Sequence, residues 1–218
     1  MKKIGIYNNK GGVGKTTTVI NLAYCLSKAA NGFKILVVDC DSQRNCSDFF
    51  SLVNRGQDFV SSAVHSTRYL NIDIAVWTAD IKITDGYDIV LFDLPPILDE
   101  KVKTVLNDCD YAFVPLVLSK FAISGFSRMK EEIVSSNAKF GGAFICMYDS
   151  RSAGVNEMMN FATATIGEHL LHTVIPQSFA IANSINYDLT AVEYMNNSNT
   201  VKFYDLTEEI LERIAGEQ

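Results

Sequence analysis

One stretch limits what this chain can fold into more than any other: residues 8–17, with the sequence Asn-Asn-Lys-Gly-Gly-Val-Gly-Lys-Thr-Thr. It lies between an apolar run at residues 4–7 and a segment with apolar residues at helical spacing. A glycine-rich loop that ends at a helix N-terminus offers backbone N–H groups and the positive end of the helix dipole to an anion. We therefore predict a phosphate-binding loop in which Lys15 contacts phosphate and the Thr16 hydroxyl lies on Mg²⁺.

The loop departs at one position from the common pattern G-x-x-x-x-G-K-[ST]. That pattern requires glycine at position 9, where this chain has Asn9, and a second lysine, Lys10, follows it. From its position alone, Lys10 is most simply a solvated loop lysine. The residues themselves therefore assign it no role.

Apolar runs alternate with segments of helical periodicity along the rest of the chain. We predict an α/β fold, a doubly wound, mostly parallel sheet with helices on both faces, in a single P-loop domain over residues 1–218. The predicted strands cover residues 4–7, 35–38, 72–77, 89–92, 111–118 with a break at Pro115, 143–147 and 173–175. The predicted helices cover residues 17–30, 100–107, 125–135, 158–166 and the chain from about 200, with a short helix around Phe49, Phe50, Leu52 and Val53.

Aspartates follow two of the predicted strands, Asp39 after residues 35–38 and Asp93 after residues 89–92. Ligands of open α/β sheets bind beyond the carboxyl ends of the strands, so both carboxylates should lie beside the loop and support Mg²⁺, Asp93 through water. Asp41 could orient the water that attacks the γ-phosphate. The alternatives are ordinary capping aspartates for Asp39 and Asp93, and an Asx turn for Asp41.

Composition argues against several classes of protein. The formal net charge of -6 and the sequence pI of about 5.1 count against a dedicated DNA-binding protein with a basic surface. Five cysteines without C-x-x-C pairing and only three histidines give no zinc pattern, so we expect free thiols in a reducing compartment. No apolar run suits a signal peptide or a membrane span, so we expect a cytoplasmic protein that does not bind membranes.

Residues 10–17, Lys-Gly-Gly-Val-Gly-Lys-Thr-Thr, resemble the deviant Walker A motif of the ParA/MinD-type ATPases, which position plasmids, chromosomes and other cargo in bacteria. Residues 39–43, Asp-Cys-Asp-Ser-Gln, are similar to the A′ motif of that family, and residues 87–96 resemble its Walker B segment. Residues 147–151 and 174–176 match stretches of the ParA branch. The resemblance covers most of the chain and is strongest to small ParA partition ATPases that lack an N-terminal DNA-binding domain.

The resemblance implies a Mg²⁺-dependent ATPase that forms a homodimer when ATP binds and hydrolyses it slowly, with stimulation by a partner. It implies catalytic roles for three residues: Lys10 contacts the nucleotide of the partner subunit, Lys15 binds phosphate on its own subunit, and Asp41 positions water. The segment after Pro176 lies where the family holds adenine. The other implied residues are nucleotide contacts at Gly11, Gly12, Val13, Gly14, Thr16 and Thr17, and magnesium-site positions at Thr16, Asp39 and Asp93.

The family's partners are a ParB-like or other adaptor protein and non-specific DNA. Many ParA proteins have arginines near the stretch that matches residues 176–180, which is neutral here, so DNA binding is the weaker expectation. We predict an ATP-dependent switch in DNA partition; the alternative is a positioning or regulatory ATPase that recruits a protein without binding DNA. A metabolic ligase related to dethiobiotin synthetase is a third hypothesis. A basic patch could still form from Lys120, Arg128, Lys130, Lys139, Arg151 and Lys202.

Two further features differ from the family or its branches. Ser42 replaces the usual proline of the A′ motif, which loosens the turn that carries Asp41. The C-terminal segment is amphipathic, and in the MinD branch such a helix is a membrane anchor. Its polar face here carries glutamates, which anionic lipid repels, so we predict that it packs on the core. The apolar face consists of Phe203, Leu206, Ile210 and Ile214.

Overall fold

The computed structural model describes residues 1–30, 32–51 and 63–216, and strands alternate with helices through most of this length. The strands are β1 Lys2–Ile6, β2 Ile35–Asp39, β3 His65–Ser66, β4 Ile72–Val76, β5 Ile89–Asp93, β6 Tyr111–Val117, β7 Lys139–Tyr148 and β8 Leu170–Pro176. The helices are α1 Lys15–Lys28, α2 Asn45–Phe50, α3 Glu100–Asp108, α4 Lys120–Ser124, α5 Phe126–Val134, α6 Val155–Ile166, α7 Phe179–Ser184, α8 Ala191–Tyr194 and α9 Lys202–Ala215.

The strands of the described residues form one eight-stranded sheet in the order β3-β4-β2-β5-β1-β6-β7-β8. All neighbours pair in parallel except β3 and β4, which are antiparallel. The register sets Ile6 of β1 beside Asp93 of β5, and Asp93 beside Asp39 of β2. The carboxyl ends of these three strands therefore coincide, as the predicted doubly wound sheet requires.

Helices cover both faces of the sheet. Helices α1, α2, α8 and α9 contribute to the apolar cluster on one face, and α3, α4, α5 and α6 contribute to the cluster on the other. Side chains of β2 alternate between the two clusters, with Ile35 and Val37 in the first and Leu36 and Val38 in the second. Burying one such side chain contributes about 1.5–3 kcal/mol to the stability of the fold, so the packing of this central strand is strongly favourable.

The C-terminal helix packs on the core, as its acidic polar face predicts. The four residues of its apolar face are buried in the same cluster as α1. Its Glu209 side chain also accepts bonds from the His172 and Thr173 N–H groups of β8, at 2.6 and 2.8 Å. Helix α9 is therefore an integral part of the fold.

The break predicted at Pro115 is wrong, because β6 runs through it and pairs Pro115 with Phe144 of β7. On the other side of β6, β1 pairs only as far as Phe113. Pro115 lies two residues further along, where β1 has already turned into the loop, and its carbonyl accepts from Asn8 instead. The missing N–H of proline therefore costs no strand hydrogen bond.

The five cysteines are buried and free, as predicted. The short helix predicted around Phe49 is α2, which ends at Phe50; Leu52 and Val53 lie outside the described residues. None of the helices in the described ranges is long and apolar enough to cross a membrane.

Candidate functional site

The loop of residues 8–17 joins β1 to α1 and is anchored by Asn8. This side chain is buried; its Nδ2 donates to the Pro115 carbonyl at 2.7 Å, and its Oδ1 accepts from the Lys10 N–H at 2.9 Å. The loop is therefore fixed both to β6 and to itself before the glycines begin. Asn8 was not among the predicted site residues, because asparagine is common in loops and its spacing gives no signal.

Gly12 and Gly14 give the loop its shape. Their φ angles of 72° and 92° lie in the left-handed region that side chains disfavour. Gly14 is the N-cap residue of α1 and has no side chain to bond the first N–H groups of the helix. At Gly11 and Gly12, a Cβ would have no other described atom within 4 Å. The loop thus combines backbone donors with open space, as an anion site requires.

Lys15 is the first residue of α1 and is only 7% exposed. Its Nζ donates to the Lys10 carbonyl at 2.9 Å. Burial lowers the pKa of Lys15, and the charges of Asp93 and Asp41 oppose this shift. An ammonium carries three donors, so Lys15 can contact its own loop and a phosphate at once.

Asp93 ends β5 beside the loop and is 1% exposed. Its Oδ2 accepts from the Thr16 hydroxyl at 2.7 Å. Its Oδ1 is one of two buried side-chain polar atoms of the described residues that have no hydrogen-bond partner, the other being the Thr78 hydroxyl. Burial raises the pKa of Asp93 to about 7; the Thr16 bond opposes the shift and the nearby Asp39 charge adds to it.

The surroundings of Asp93 fit Mg²⁺. A buried carboxylate oxygen without a partner is costly, and Mg²⁺ favours oxygen ligands while keeping several waters. The Thr16 hydroxyl bonds the same carboxylate, so two of the three predicted magnesium-site residues are adjacent. Thr16 and Asp93 could therefore hold a hydrated Mg²⁺ at the start of α1.

Asp39, the third predicted magnesium-site residue, is fully buried and its two carboxylate oxygens are occupied. Oδ2 accepts from the Ser47 N–H and hydroxyl at 2.8 and 2.7 Å, and Oδ1 accepts from the Asp41 N–H at 3.0 Å. Burial raises the pKa of Asp39, whereas the bonds from Ser47 and Asp41 oppose that shift. These bonds connect the segment that carries Asp41 to α2, and a role for Asp39 at the magnesium site stays a prediction. Ser47 was not predicted, because a serine eight positions away carries no spacing signal.

Asp41 lies two residues beyond the end of β2 and is partly exposed. Its Oδ1 accepts from the Gln43 N–H at 3.0 Å, which is the Asx turn that the sequence left as an alternative. Its charge also acts on the pKa of Lys15 and Asp93. The turn thus holds Asp41 near the loop, and a role in orienting water stays a prediction.

Lys10 and Lys15 occupy different environments within one loop. Lys10 is exposed, and the bonds it makes are through its backbone N–H and carbonyl. Lys15 is buried. The proposed contact of Lys10 with a second subunit stays a prediction.

A mostly apolar cavity of about 200 Å³ adjoins the loop. It lies between the start of α1, the end of β7 and the segment that follows β8. The sequence motifs did not name the residues on this side of the loop, and the cavity shows which side chains lie there. Its lining includes Gly14, Thr17, Cys146, Met147, Pro176 and Ile181.

Comparison with known proteins finds a matching family and relatives that extend over nearly the full length of this chain. The model of the AAA domain family AAA_31 matches residues 1–81 and 74–141. The chromosome-partitioning ATPase Soj of Treponema pallidum is 27% identical, over 97% of this chain and 98% of its own.

Two solved structures share the fold. A plasmid partition protein of Borrelia burgdorferi bound to AMPPNP has a TM-score of 0.74 at 21% identity, covering 100% of this chain and 99% of that one. The septum site-determining protein MinD of Pyrococcus horikoshii, complexed with Mg-ADP, has a TM-score of 0.74 at 19% identity, covering 98% and 95%.

Proposed function

Because this chain belongs to the AAA domain family AAA_31 and has ParA/MinD-type relatives, we propose that it binds ATP and Mg²⁺ at residues 8–17 and hydrolyses ATP. The observation that carries the proposal is the convergence of Lys15, Thr16 and Asp93 at the start of α1, with one oxygen of Asp93 left without a partner. The nucleotides bound by the two neighbours with the same fold support the choice of ligand.

The residues divide the chemistry between them. Backbone N–H groups from Gly11 to Thr17 and the Lys15 ammonium bind the phosphates, and Thr16 and Asp93 hold Mg²⁺, which supplies positive charge against the phosphate oxygens. Asp41 orients water toward the γ-phosphate from its turn. Asp39 keeps that turn in place through its bonds to Ser47 and Asp41.

The cavity beside the loop suits the adenine base. Its lining is mainly apolar and includes Met147 of β7, Pro176 at the end of β8 and Thr17 of α1. A planar aromatic base gains from burial between such side chains while its polar edge meets backbone groups. Met147→Ala, which removes apolar contact without adding a charge, should therefore weaken ATP binding and leave inorganic phosphate binding unaffected.

ATP is proposed to act as a dimerisation switch. Lys10 is exposed on the loop, so its ammonium is free to reach toward a second subunit, whereas the buried Lys15 serves its own nucleotide. The γ-phosphate would then favour one association state, and hydrolysis would remove the contacts that distinguish it.

Titration calorimetry and light scattering with a non-hydrolysable ATP analogue and Mg²⁺ test the switch. Wild type should bind and dimerise, Lys15→Ala should not bind, and Lys10→Ala should bind while staying monomeric and inactive. Lys28→Ala, an exposed lysine at the far end of α1, is the matched control and should resemble wild type. If Lys10→Ala and Lys15→Ala lose ATP binding equally, the division of roles fails. If wild type stays monomeric, the dimer switch fails.

The biological process proposed is DNA partition with an adaptor protein, and the chromosome-partitioning ATPase Soj among the relatives supports the choice of process. A second candidate, a positioning or regulatory ATPase that recruits a protein without binding DNA, is favoured by the pairing of the candidate basic residues. Three of them form ion pairs within the chain: Arg128 with Glu132, Arg151 with Asp149 and Lys202 with Asp205.

Binding of the ATP-bound protein to non-specific DNA, measured at several salt concentrations, separates the two candidates. Binding that weakens steeply with salt supports partition on DNA. Binding that is absent even at low salt supports the protein-recruiting switch.

A further inference from the structure

The peptide unit between Cys40 and Asp41 is held at both ends by side chains. Its carbonyl, on Cys40, accepts from Lys101 Nζ at 2.6 Å, and its N–H, on Asp41, donates to Asp39 Oδ1 at 3.0 Å. A peptide unit is planar, so two bonds on opposite sides fix its orientation. The position of the Asp41 Cα is fixed with it, and the bond from the Gln43 N–H to Asp41 Oδ1 then holds the side chain.

The preceding peptide unit is held by the sheet instead. The Asp39 carbonyl accepts from the Trp77 N–H at 2.8 Å, and the Cys40 N–H donates to the Asp93 carbonyl at 3.0 Å. These are the last strand-like bonds at the end of β2. Beyond these bonds, Lys101 and the Asp39 carboxylate hold the next peptide unit in place of a neighbouring strand. That peptide unit leads to Asp41, the residue proposed to orient water.

Lys101 is itself well placed for this task. It is the second residue of α3, whose start is capped by Asp99 accepting from the Val102 N–H at 2.8 Å. Its ammonium lies 5.1 Å from the centre of the Trp77 ring, within the range of a cation–π contact. The residue after Asp41 is serine, which does not restrict its own backbone as proline would. The turn consequently depends on bonds from outside it.

We propose that Lys101 is a positioning residue for Asp41, acting through the Cys40 carbonyl. The inference rests on the proposed function, in which Asp41 orients water for ATP hydrolysis. Since α3 follows β5 directly, Lys101 also ties the segment after Asp93 to the segment after Asp39. Lys101 is not among the residues proposed to bind nucleotide or metal, so its removal should affect turnover and spare binding.

Turnover and binding of Lys101→Met, which keeps the aliphatic stem, provide the first test. Its kcat for ATP should fall about tenfold to a hundredfold, because a small misplacement of a reacting group has an effect of this size. Its Kd for ATP should stay within about twofold of wild type. Lys101→Arg, which retains a charged donor, should recover most of the loss. Lys103→Met is the matched control, since Lys103 lies on the same helix and pairs with Glu100.

A double-mutant cycle separates positioning from general damage. If Lys101 acts through Asp41, adding Lys101→Met to Asp41→Asn should lower kcat by less than about twofold further. Two results would overturn the proposal. In the first, the fold-loss of kcat in the double variant equals the product of the fold-losses in the two single variants; in the second, the kcat of Lys101→Met stays within about twofold of wild type.

Hydrogen exchange gives a readout that does not need hydrolysis. In Lys101→Met the Asp41 amide should exchange faster, whereas the Thr18 amide, bonded to the Gly14 carbonyl at 2.9 Å, should not change. If wild type fails to hydrolyse ATP, the proposed function is wrong, and this measurement then decides the positioning role alone. Unchanged exchange at Asp41 would reject it.

Discussion

Asp39 and Asp93 are the same residue type, end neighbouring strands and face each other in the register, yet their surroundings differ. The oxygens of Asp39 accept three hydrogen bonds from Ser47 and Asp41. The Asp93 carboxylate accepts one hydrogen bond, from the Thr16 hydroxyl, and its other oxygen is buried without a partner. The first carboxylate is thus satisfied by the protein, whereas the second is left for a ligand.

The sequence motifs predict that Asp39 and Asp93 both support Mg²⁺. The contrast in their hydrogen bonds suits Asp39 to holding the turn and Asp93 to binding the ion. Burial raises the pKa of both groups, but only Asp39 has several donors that favour its charged form. Asp39 already holds the turn through its own bonds, whereas under the proposed function Asp93 would gain a partner when Mg²⁺ binds. Substitutions should therefore affect stability at one position and activity at the other.

The largest effect is expected for Asp93→Asn. Loss of the carboxylate should lower the ATP hydrolysis rate at least about 100-fold, because the magnesium site loses its charged member. The free energy of unfolding without nucleotide should stay the same or rise, since a buried charge without full compensation is removed. Steady-state ATPase assays and urea unfolding measure the two quantities.

The control for this variant is Asp73→Asn, a partly buried carboxylate near the amino end of β4 that accepts from the Tyr87 hydroxyl at 2.8 Å. It should retain wild-type turnover. An active Asp93→Asn variant would contradict the contrast between the two aspartates.

Asp39→Asn should have the opposite effect to Asp93→Asn, a loss of stability with little change in nucleotide binding. An amide presents one acceptor where the carboxylate has two, so a Ser47 or Asp41 N–H loses its partner. The free energy of unfolding should fall by about 1–3 kcal/mol, measured by urea unfolding. ATP affinity should change little. If this variant is as stable as wild type and loses Mg²⁺ binding instead, Asp39 belongs with Asp93.

The pH dependence of stability provides a third comparison. The folded protein holds the Asp93 proton more tightly than the unfolded chain, since the pKa is raised from 3.8 to about 7. The resulting stabilisation is fully present below about pH 4 and is lost as the pH rises toward 7. In EDTA, wild type should therefore lose about 2 kcal/mol relative to Asp93→Asn between pH 5 and pH 7. Parallel stability curves for the two proteins would contradict the raised pKa.

The smallest effect is expected for Ser47→Ala. It removes one of the two bonds from Ser47 to Asp39 and leaves the backbone N–H bond in place. The free energy of unfolding should fall by about 0.5–1.5 kcal/mol, less than for Asp39→Asn. A loss equal to that of Asp39→Asn would mean that the hydroxyl bond alone holds the turn.

Much of the fold follows from local patterns. The run at residues 89–92 and its terminal aspartate correspond to β5, because a continuous apolar strand bounded by a turn and two prolines has clear limits. Strand β7 begins four residues before the predicted start at residue 143, because Gly141 and Gly142 conceal its amino end. A Cβ at Gly141 would lie 2.4 Å from the Phe113 ring, so the glycine is required by a neighbour distant in sequence.

The site was less accessible to prediction than the fold. The motifs predict Lys15, Thr16 and Asp93 as site residues because phosphate and Mg²⁺ demand fixed residue types at fixed spacing. The Asn8 contact depends on the pairing of β1 with β6, and the Ser47 contact depends on how α2 packs against the end of β2. The spacing of residues in the sequence encodes neither. Helices α4, α7 and α8 were missed because segments of four to six residues are too short to display a helical period.

Trp77 is the single tryptophan of the chain, and it sits where β4 ends, beside the turn. Its backbone N–H donates to the Asp39 carbonyl, and its indole ring lies 5.1 Å from the Lys101 ammonium. Its fluorescence is therefore an intrinsic optical probe of the turn that needs no attached dye. Stopped-flow emission after mixing with ATP can follow, in real time, any rearrangement that nucleotide imposes on this end of the sheet.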